Sequence, residues 1–243
     1  GLATAYLLRE HRPIVLELRD RFGGVAQGER WSGTNYSLGN AYVISPDAGS
    51  FLLHLYHELG LLDVVRVDDA QPHIELQGEI LDRFFDPGQH PVHIRQAFAK
   101  YREVVTHMAN ESYPDIPLPK AGGDWIVDLD RRTLREDIEE RMDMPIPTQL
   151  RSAIQAYCYS SFAAGWEEIS AAGGWNFLAA EEFGRWVFPG GNAFMARALW
   201  RRLETELGGE RTPRLRPESR VTSVELTDDD RVEVTLSLIH ISE

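Results

Sequence analysis

The segment from Gly1 to Glu17 constrains the fold more than any other part of the chain. Gly1 opens a helical pattern that continues to Arg9, and Pro13 precedes a short apolar run at 14–18 that is typical of a buried parallel strand with Glu17 near its end. Dinucleotide-binding folds place a glycine turn at a helix N-terminus and an acid at the end of the next strand, about 20 residues after the first glycine. If Gly1 is the last glycine of that turn, Glu17 has the required spacing. A plain helix–strand unit is the alternative.

The charge balance argues against one class of function. The chain has 25 Lys and Arg against 38 Asp and Glu, a formal net charge of −13, and its basic residues are scattered. Because a nucleic-acid site needs a basic field, we expect no nucleic-acid partner. The single cysteine, Cys158, excludes an intrachain disulfide and a multi-cysteine metal site. No apolar run approaches the ~18 residues of a membrane span, so none is expected.

Both ends of the sequence suggest truncation. The chain begins without Met inside a helical pattern, and we expect the strand that precedes Gly1 in a dinucleotide fold to be missing. Residues 237–243 break the alternation of the preceding strand, and we interpret them as a non-native tail. Compartment and oligomeric state therefore cannot be assigned from this sequence.

Periodicity divides the rest of the chain into predicted elements. We expect helices and strands to alternate, a proline-rich and glycine-rich loop at 113–124, and, at 165–191, a surface shaped by aromatic residues and glycines. The predicted helices are 1–9, 51–62, 92–108, 132–142, 148–161 and 192–207, and the predicted strands are 14–18, short strands within 64–85, and a hairpin of 220–226 with 231–236.

The residues after Glu17 sharpen the dinucleotide hypothesis. Arg21, the pair Gly23-Gly24 and a later Leu38-Gly39 continue the helix and strand in an order that resembles the flavin-containing amine oxidoreductase family, whose chains read G-L-x-A-A-Y and V-x-V-L-E-x-R-x-R-x-G-G. Glycines suit such a site because backbone without Cβ can approach a diphosphate closely. Val25 departs from the family pattern, which often has Arg after the paired glycines.

Two later segments resemble the same family. The run from Phe188 to Leu199 is similar to the F-P-x-G-N-x-x-x-A-R-x-L segment of spermidine dehydrogenase-like members. The run from Arg220 to Val224 resembles the strand whose backbone pairs with the adenine edge, with Val221 at the matching position.

The resemblance implies FAD as the cofactor and a set of residues that bind it. Glu17 is implied to hold the ribose, Arg21 and the glycine pair to line the adenosine and pyrophosphate channel, and the Gly39 segment to pass near the flavin ring. The implied cofactor-binding residues are Gly1, Glu17, Leu18, Arg19, Arg21, Gly23, Gly24, Gly39, Asn40 and Val221. No catalytic residue can be named from the sequence, and no metal is expected.

The implied fold class is α/β, with a Rossmann-type FAD/NAD(P)-binding domain and an inserted α+β substrate domain. The domains would be 1–62 and 186–236 for the cofactor and 63–185 for a small-molecule substrate. The implied function is an FAD-dependent oxidoreductase that transfers hydride from a substrate, such as an amine, to the flavin. A carotenoid or phytoene desaturase-like flavoenzyme and a non-catalytic binding protein of the Rab GDP-dissociation inhibitor type are alternatives.

Other candidate groups have less support. The pairs His54 with His57 and His90 with His93 could bind a metal, although we expect these histidines to face solvent. Cys158 could tether a flavin, but a buried core thiol is favoured. The aromatic residues between Trp166 and Phe188 could form a wall that recognises a cationic amine, or simply core. The acids interspersed with them, Glu167, Glu168, Glu181 and Glu182, could bind a cationic substrate or form solvated faces.

Overall fold

The protein is described by a computed structural model that covers residues 1–68, 72–76, 78–208 and 213–237. The chain folds into two compact units of mixed helix and strand. The first contains the described residues of Gly1–Val67 and Trp186–Glu243, and the second contains those of Asp68–Arg185.

The first unit contains short strands and three helices. The chain starts with α1 (Leu2–Leu7), which ends two residues before the predicted helix 1–9 does. A single 3-10 turn at Arg9–His11 follows it. The strands are β1 (Val15–Leu16), β2 (Gly28–Trp31), β3 (Thr34–Ser37), β4 (Tyr42–Ile44), β5 (Arg66–Asp68), β8 (Arg185–Val187), β9 (Leu215–Arg216), β10 (Val221–Leu226) and β11 (Val232–Leu236). The other helices are α2 (Phe51–Glu58) and α8 (Ala193–Leu207).

Strand pairing confirms two sequence predictions and adds a hairpin that the sequence analysis missed. β1 is a parallel strand, as expected, and pairs with β9. It spans only two residues of the predicted strand 14–18, and Ile14 and Leu18 are 51% and 60% exposed. β10 and β11 form the predicted antiparallel hairpin. β2 and β3 form a second hairpin, closed by Ser32 and Gly33 with φ of 48° and 86°. A Ser-Gly pair between two short strands is the signal that could have predicted it.

The second unit is mainly helical. Its elements are β6 (Ile74–Leu76), β7 (Glu79–Leu81), α3 (Val92–Asn110), α4 (Asp124–Asp130), α5 (Leu134–Met142), α6 (Thr148–Phe162) and α7 (Ala171–Leu178). Apolar side chains of α3 to α7 form one continuous core around fully buried residues such as Phe98, Leu134 and Trp175. Most predicted helices of this region are confirmed within two residues.

Two aromatic residues of the glycine-rich segment 165–191 belong to the core rather than to a shaped surface. Ser170 caps α7, and Trp166 and Trp175 are buried in the core of the second unit. Gly174 lies so close to α5 that a Cβ there would be 2.7 Å from Leu134 Cδ2. Gly174 therefore serves close helix packing, and the core alternative is correct for Trp166 and Trp175.

Candidate functional site

Glu17 follows the last residue of β1 and is fixed by backbone hydrogen bonds. Its N–H donates to the carbonyl of Arg216 at 2.9 Å, and its carbonyl accepts from the N–H of Ser219 at 2.7 Å. One carboxylate oxygen accepts from the N–H of Arg19 at 2.9 Å. The side chain is half-buried, and its second oxygen keeps its acceptor capacity for another donor.

Five of the predicted residues line one pocket of about 380 Å³ in the first unit. They are Gly1, Glu17, Gly23, Gly24 and Asn40. The expectation that Glu17 lies at the end of a parallel strand beside the Gly1 turn is therefore met in the structure. The remaining lining residues are Leu2, Ala3, Val15, Leu16, Phe22, Ala26, Asn192, Met195, Ala196 and Leu199.

The paired glycines leave bare backbone on the pocket wall. Gly23 and Gly24 have φ of 129° and 57°, values that disfavour other residues. A Cβ at Gly24 would meet nothing within 4 Å, so the space beside this residue is open. Such backbone can approach a bulky anionic group closely.

The other predicted residues lie outside this pocket. Arg21 lines a neighbouring pocket of about 780 Å³ in the same unit, while Leu18 and Arg19 are exposed. Gly39 lies close to the chain at Val25, because a Cβ there would be 2.7 Å from the Val25 carbonyl oxygen. Val221 is the first residue of β10 and is 40% exposed. Apart from the backbone N–H of Arg19, which donates to the Glu17 carboxylate, the structure does not bring these residues into the pocket with Glu17.

The segment Phe188 to Asn192 leads into α8 and reaches the pocket at Asn192, a residue to which the sequence analysis assigned no role. Gly191 has φ of 70°, and a Cβ there would lie 2.6 Å from Ser37 Cβ and 2.9 Å from the Asn40 carbonyl oxygen. Only glycine therefore fits between this segment and the chain around β3. The next residue, Asn192, lines the pocket together with Met195, Ala196 and Leu199 of α8. The motif that begins at Phe188 and resembles F-P-x-G-N was the sequence signal for this segment.

Asn192 is 8% exposed and its side chain is only partly satisfied. Its backbone N–H donates to the Asn40 carbonyl at 3.0 Å, and its Nδ2 donates to the Tyr42 carbonyl at 2.9 Å. Its Oδ1 is buried and accepts no hydrogen bond. Such an orphaned acceptor costs about 1–3 kcal/mol unless a partner supplies a donor.

The alternative candidates have structural explanations. His54, His57 and His93 are exposed as expected, but the expectation was wrong for His90, which is buried with its ring stacked on Phe98 at 3.5 Å and its Nε2 2.5 Å from the Phe84 carbonyl oxygen. In the described part of the chain, no group of three or more His, Cys, Asp or Glu side chains could hold a metal ion.

Cys158 lies in the core of the second unit and is 1% exposed. Burial, with a smaller contribution from Glu167, raises the pKa of its thiol to about 11. The favoured interpretation, a buried core thiol, is therefore confirmed.

Two of the four acids near the aromatic residues of 165–191 are engaged by protein groups. Glu181 accepts from the Tyr157 hydroxyl at 2.8 Å and pairs with Arg185, and Glu168 accepts from the Gly165 N–H at 2.8 Å. Glu167 and Glu182 are exposed.

No helix of the described residues is both long and apolar enough to span a bilayer.

Comparison with known proteins places this geometry in context. A family model described as flavin containing amine oxidoreductase matches residues 1–238. No curated protein sequence matches the chain.

Solved structures share the fold at low sequence identity. Putrescine oxidase bound to putrescine superposes with a TM-score of 0.67 at 19% identity, covering 98% of this chain and 52% of that chain. Cyclohexylamine oxidase from Brevibacterium oxydans IH-35A has a TM-score of 0.60 at 17% identity, with 98% and 53% covered. A fatty acid isomerase from P. acnes has a TM-score of 0.57 at 16% identity, with 97% and 52% covered. The chain thus spans about half the length of these proteins.

Proposed function

Since this chain belongs to the flavin-containing amine oxidoreductase family, we propose that the full-length protein is an FAD-dependent oxidoreductase that transfers a hydride from an amine to the flavin. The observation that carries the proposal is the pocket that joins Glu17, Gly1 and the Gly23-Gly24 backbone. These residues come from the start of α1, the end of β1 and the turn after it, and they line one pocket, so a single ligand can contact all of them.

The pocket's chemistry fits a dinucleotide. A carboxylate such as that of Glu17 accepts hydrogen bonds from the vicinal hydroxyls of a ribose. Bare glycine backbone next to it accommodates a pyrophosphate, and the unpaired Oδ1 of Asn192 provides a further acceptor for a ligand donor. We assign Glu17 to the ribose and Gly1, Gly23 and Gly24 to the pyrophosphate.

The proposal extends to the fold of the cofactor domain. We propose that the parallel β1–β9 pair belongs to a Rossmann-type sheet, in which ligands bind beyond the carboxyl ends of the strands. Glu17 directly follows the carboxyl end of β1, which supports this arrangement. We also propose that 1–62 and 186–236 form the cofactor domain and that 63–185 binds the substrate.

When bound, the flavin supplies the redox chemistry by accepting the hydride, and the protein supplies binding and orientation. Glu17 positions the adenosine half of the cofactor, and the glycine segments hold the diphosphate against the protein backbone. The Gly39 and Asn40 segment, tied to Asn192 by the 3.0 Å hydrogen bond, orients the part of the cofactor nearer the flavin. The proposal assigns no residue of this chain the role of a base.

Two experiments on the full-length protein test the function. We expect it to purify with flavin absorption bands that bleach on anaerobic addition of aliphatic amines. A colourless protein that binds no FAD would contradict the enzyme proposal and favour the binding-protein class. Bleaching by a polyene but not by amines would replace the proposed substrate with that of a desaturase.

A further inference from the structure

The unpaired Oδ1 of Asn192 departs from the usual role of an asparagine at the start of a helix. Asparagine at the N-cap of a helix commonly uses this oxygen to accept from a backbone N–H of the first turn. Asn192 is the N-cap of the 15-residue helix α8, yet its side chain caps no backbone group. Its amide group faces Tyr42 through Nδ2 instead, which leaves Oδ1 without a donor.

The Nδ2 bond fixes which side of the amide is available. Because Nδ2 donates to the Tyr42 carbonyl at 2.9 Å, the oxygen cannot exchange places with the nitrogen without setting two carbonyl oxygens against each other. The residue also lines the pocket that contains Glu17 and Gly24. A donor from a ligand in that pocket would satisfy Oδ1.

The chemistry of a dinucleotide decides which of its groups can be that donor. The pyrophosphate of FAD carries only acceptor oxygens, so it cannot pair with Oδ1. Its donors near the pyrophosphate are the hydroxyls of two polyols, one on each side: the ribose of the adenosine half and the ribityl chain of the flavin half. One pocket here contains two side-chain acceptors, the Glu17 carboxylate and Asn192 Oδ1, together with bare glycine backbone.

We propose that Asn192 Oδ1 accepts a hydrogen bond from a ribityl hydroxyl of FAD, and that Asn192 is therefore a binding residue for the flavin half of the cofactor. The inference rests on the proposed function. Glu17 serves the ribose, and the ties of Asn192 to Asn40 and Tyr42 place its acceptor on a segment separate from β1. With the ribose held by Glu17, the ribityl hydroxyls are the donors near the pyrophosphate that remain for Asn192 Oδ1.

Affinity for FAD relative to ADP tests this assignment, because ADP has the ribose and pyrophosphate but lacks the ribityl chain. In the full-length apoprotein, Asn192→Ala should weaken FAD binding about threefold to tenfold, the effect of losing one neutral hydrogen bond, and leave ADP binding unchanged. Both affinities are measured by isothermal titration on one preparation. Because both ligands are titrated into the same preparation, the ratio of the two affinities does not depend on the fraction of protein that is folded.

Asn192→Asp is the matched control, because it keeps an acceptor oxygen but cannot donate to the Tyr42 carbonyl when ionised. We expect its ratio of FAD to ADP affinity to stay near that of the wild type, even if both affinities fall through repulsion of the pyrophosphate. An unchanged ratio in Asn192→Ala, or an equal shift in both variants, would overturn the ribityl assignment. A wild-type protein that binds neither ligand would instead overturn the proposed function.

Discussion

The two units of this protein treat buried polar groups differently. In the second unit, Asp137 is 1% exposed and fully engaged: it accepts from Trp175 Nε1 at 2.7 Å and from Arg141 Nε at 2.5 Å, and pairs with Arg132 at 3.3 Å. In the first unit, Asn192 is 8% exposed and keeps an acceptor without a partner.

Under the proposed function, this difference separates a structural polar group, Asp137, from a binding group, Asn192. A buried carboxylate whose partners all come from the protein helps to fix the helices that carry those partners. The unpaired acceptor of Asn192 follows two glycines at positive φ in a residue that lines a pocket, and under the proposed function a ligand supplies its partner. Burial alone would have given Asp137 and Asn192 the same importance, whereas their hydrogen bonds distinguish them.

The largest expected effect lies in the helical core. Trp175→Ala removes a fully buried ring and the donor to Asp137, so we expect the free energy of unfolding to fall by about 3–5 kcal/mol. Trp31→Ala in the first unit is the control, since Trp31 is 76% exposed, and it should change this free energy by about 0.5 kcal/mol or less. Urea unfolding followed by circular dichroism measures both. Equal losses would show that the second unit is not organised around this core.

Cys158 gives a second test of the closed core. Because burial raises the thiol pKa from 9.0 to about 11, its thiolate population at pH 8 is about a hundredfold lower than that of an unperturbed thiol, and reagent access is blocked as well. We expect maleimide labelling of the native protein to be at least a hundredfold slower than labelling in denaturant. The exposed Ser161→Cys thiol, in a Cys158→Ser background, should react rapidly in the native state. Equally fast labelling of native Cys158 would restore the flavin tether as an alternative.

A comparison of Gly191 with Gly49 tests how tightly the segment before Asn192 packs in the first unit. Gly191→Ala would place a Cβ 2.6 Å from Ser37 Cβ, whereas Gly49→Ala, at a similar φ of 76°, would meet nothing within 4 Å. Both variants bear the cost of a positive φ, so their difference isolates the clash, for which we expect about 1–3 kcal/mol of additional destabilisation. Thermal unfolding of the two variants measures it. Indistinguishable stabilities would show that the segment at Gly191 does not pack against β3.

Local patterns predicted much of this fold. Helices α3, α5, α6 and α8 follow from regular apolar periodicity, and the parallel pairing of β1 follows from a helix leading into a short apolar strand that ends in an acid. The sequence could not show that α7 is a helix, because its two glycines disfavour a helix and Gly174 is required only by the close approach of Leu134 from another segment. Such a tertiary requirement overrides local propensity.

The candidate site was predictable where one motif carries both spacing and chemistry. Gly1, Glu17 and the Gly23-Gly24 pair lie within the first 24 residues, and the pocket joins them. Asn192 was visible as part of a motif but had no predictable role, since its partners at Asn40 and Tyr42 are about 150 residues away in the sequence. His90 was misjudged for a different reason: Phe84 and Phe98 are near it in the sequence, but their rings enclose it only in the folded chain.

The affinity of the full-length apoprotein for FAD in Glu17→Ala tests the central claim most directly. Loss of a carboxylate that hydrogen-bonds the ribose should cost about 1.5–3 kcal/mol, which weakens binding about tenfold to a hundredfold. Glu10→Ala removes the same charge from an exposed position of the first unit and should leave the affinity unchanged. If Glu17→Ala binds FAD as tightly as the wild type while remaining folded, the pocket at the end of β1 is not the cofactor site.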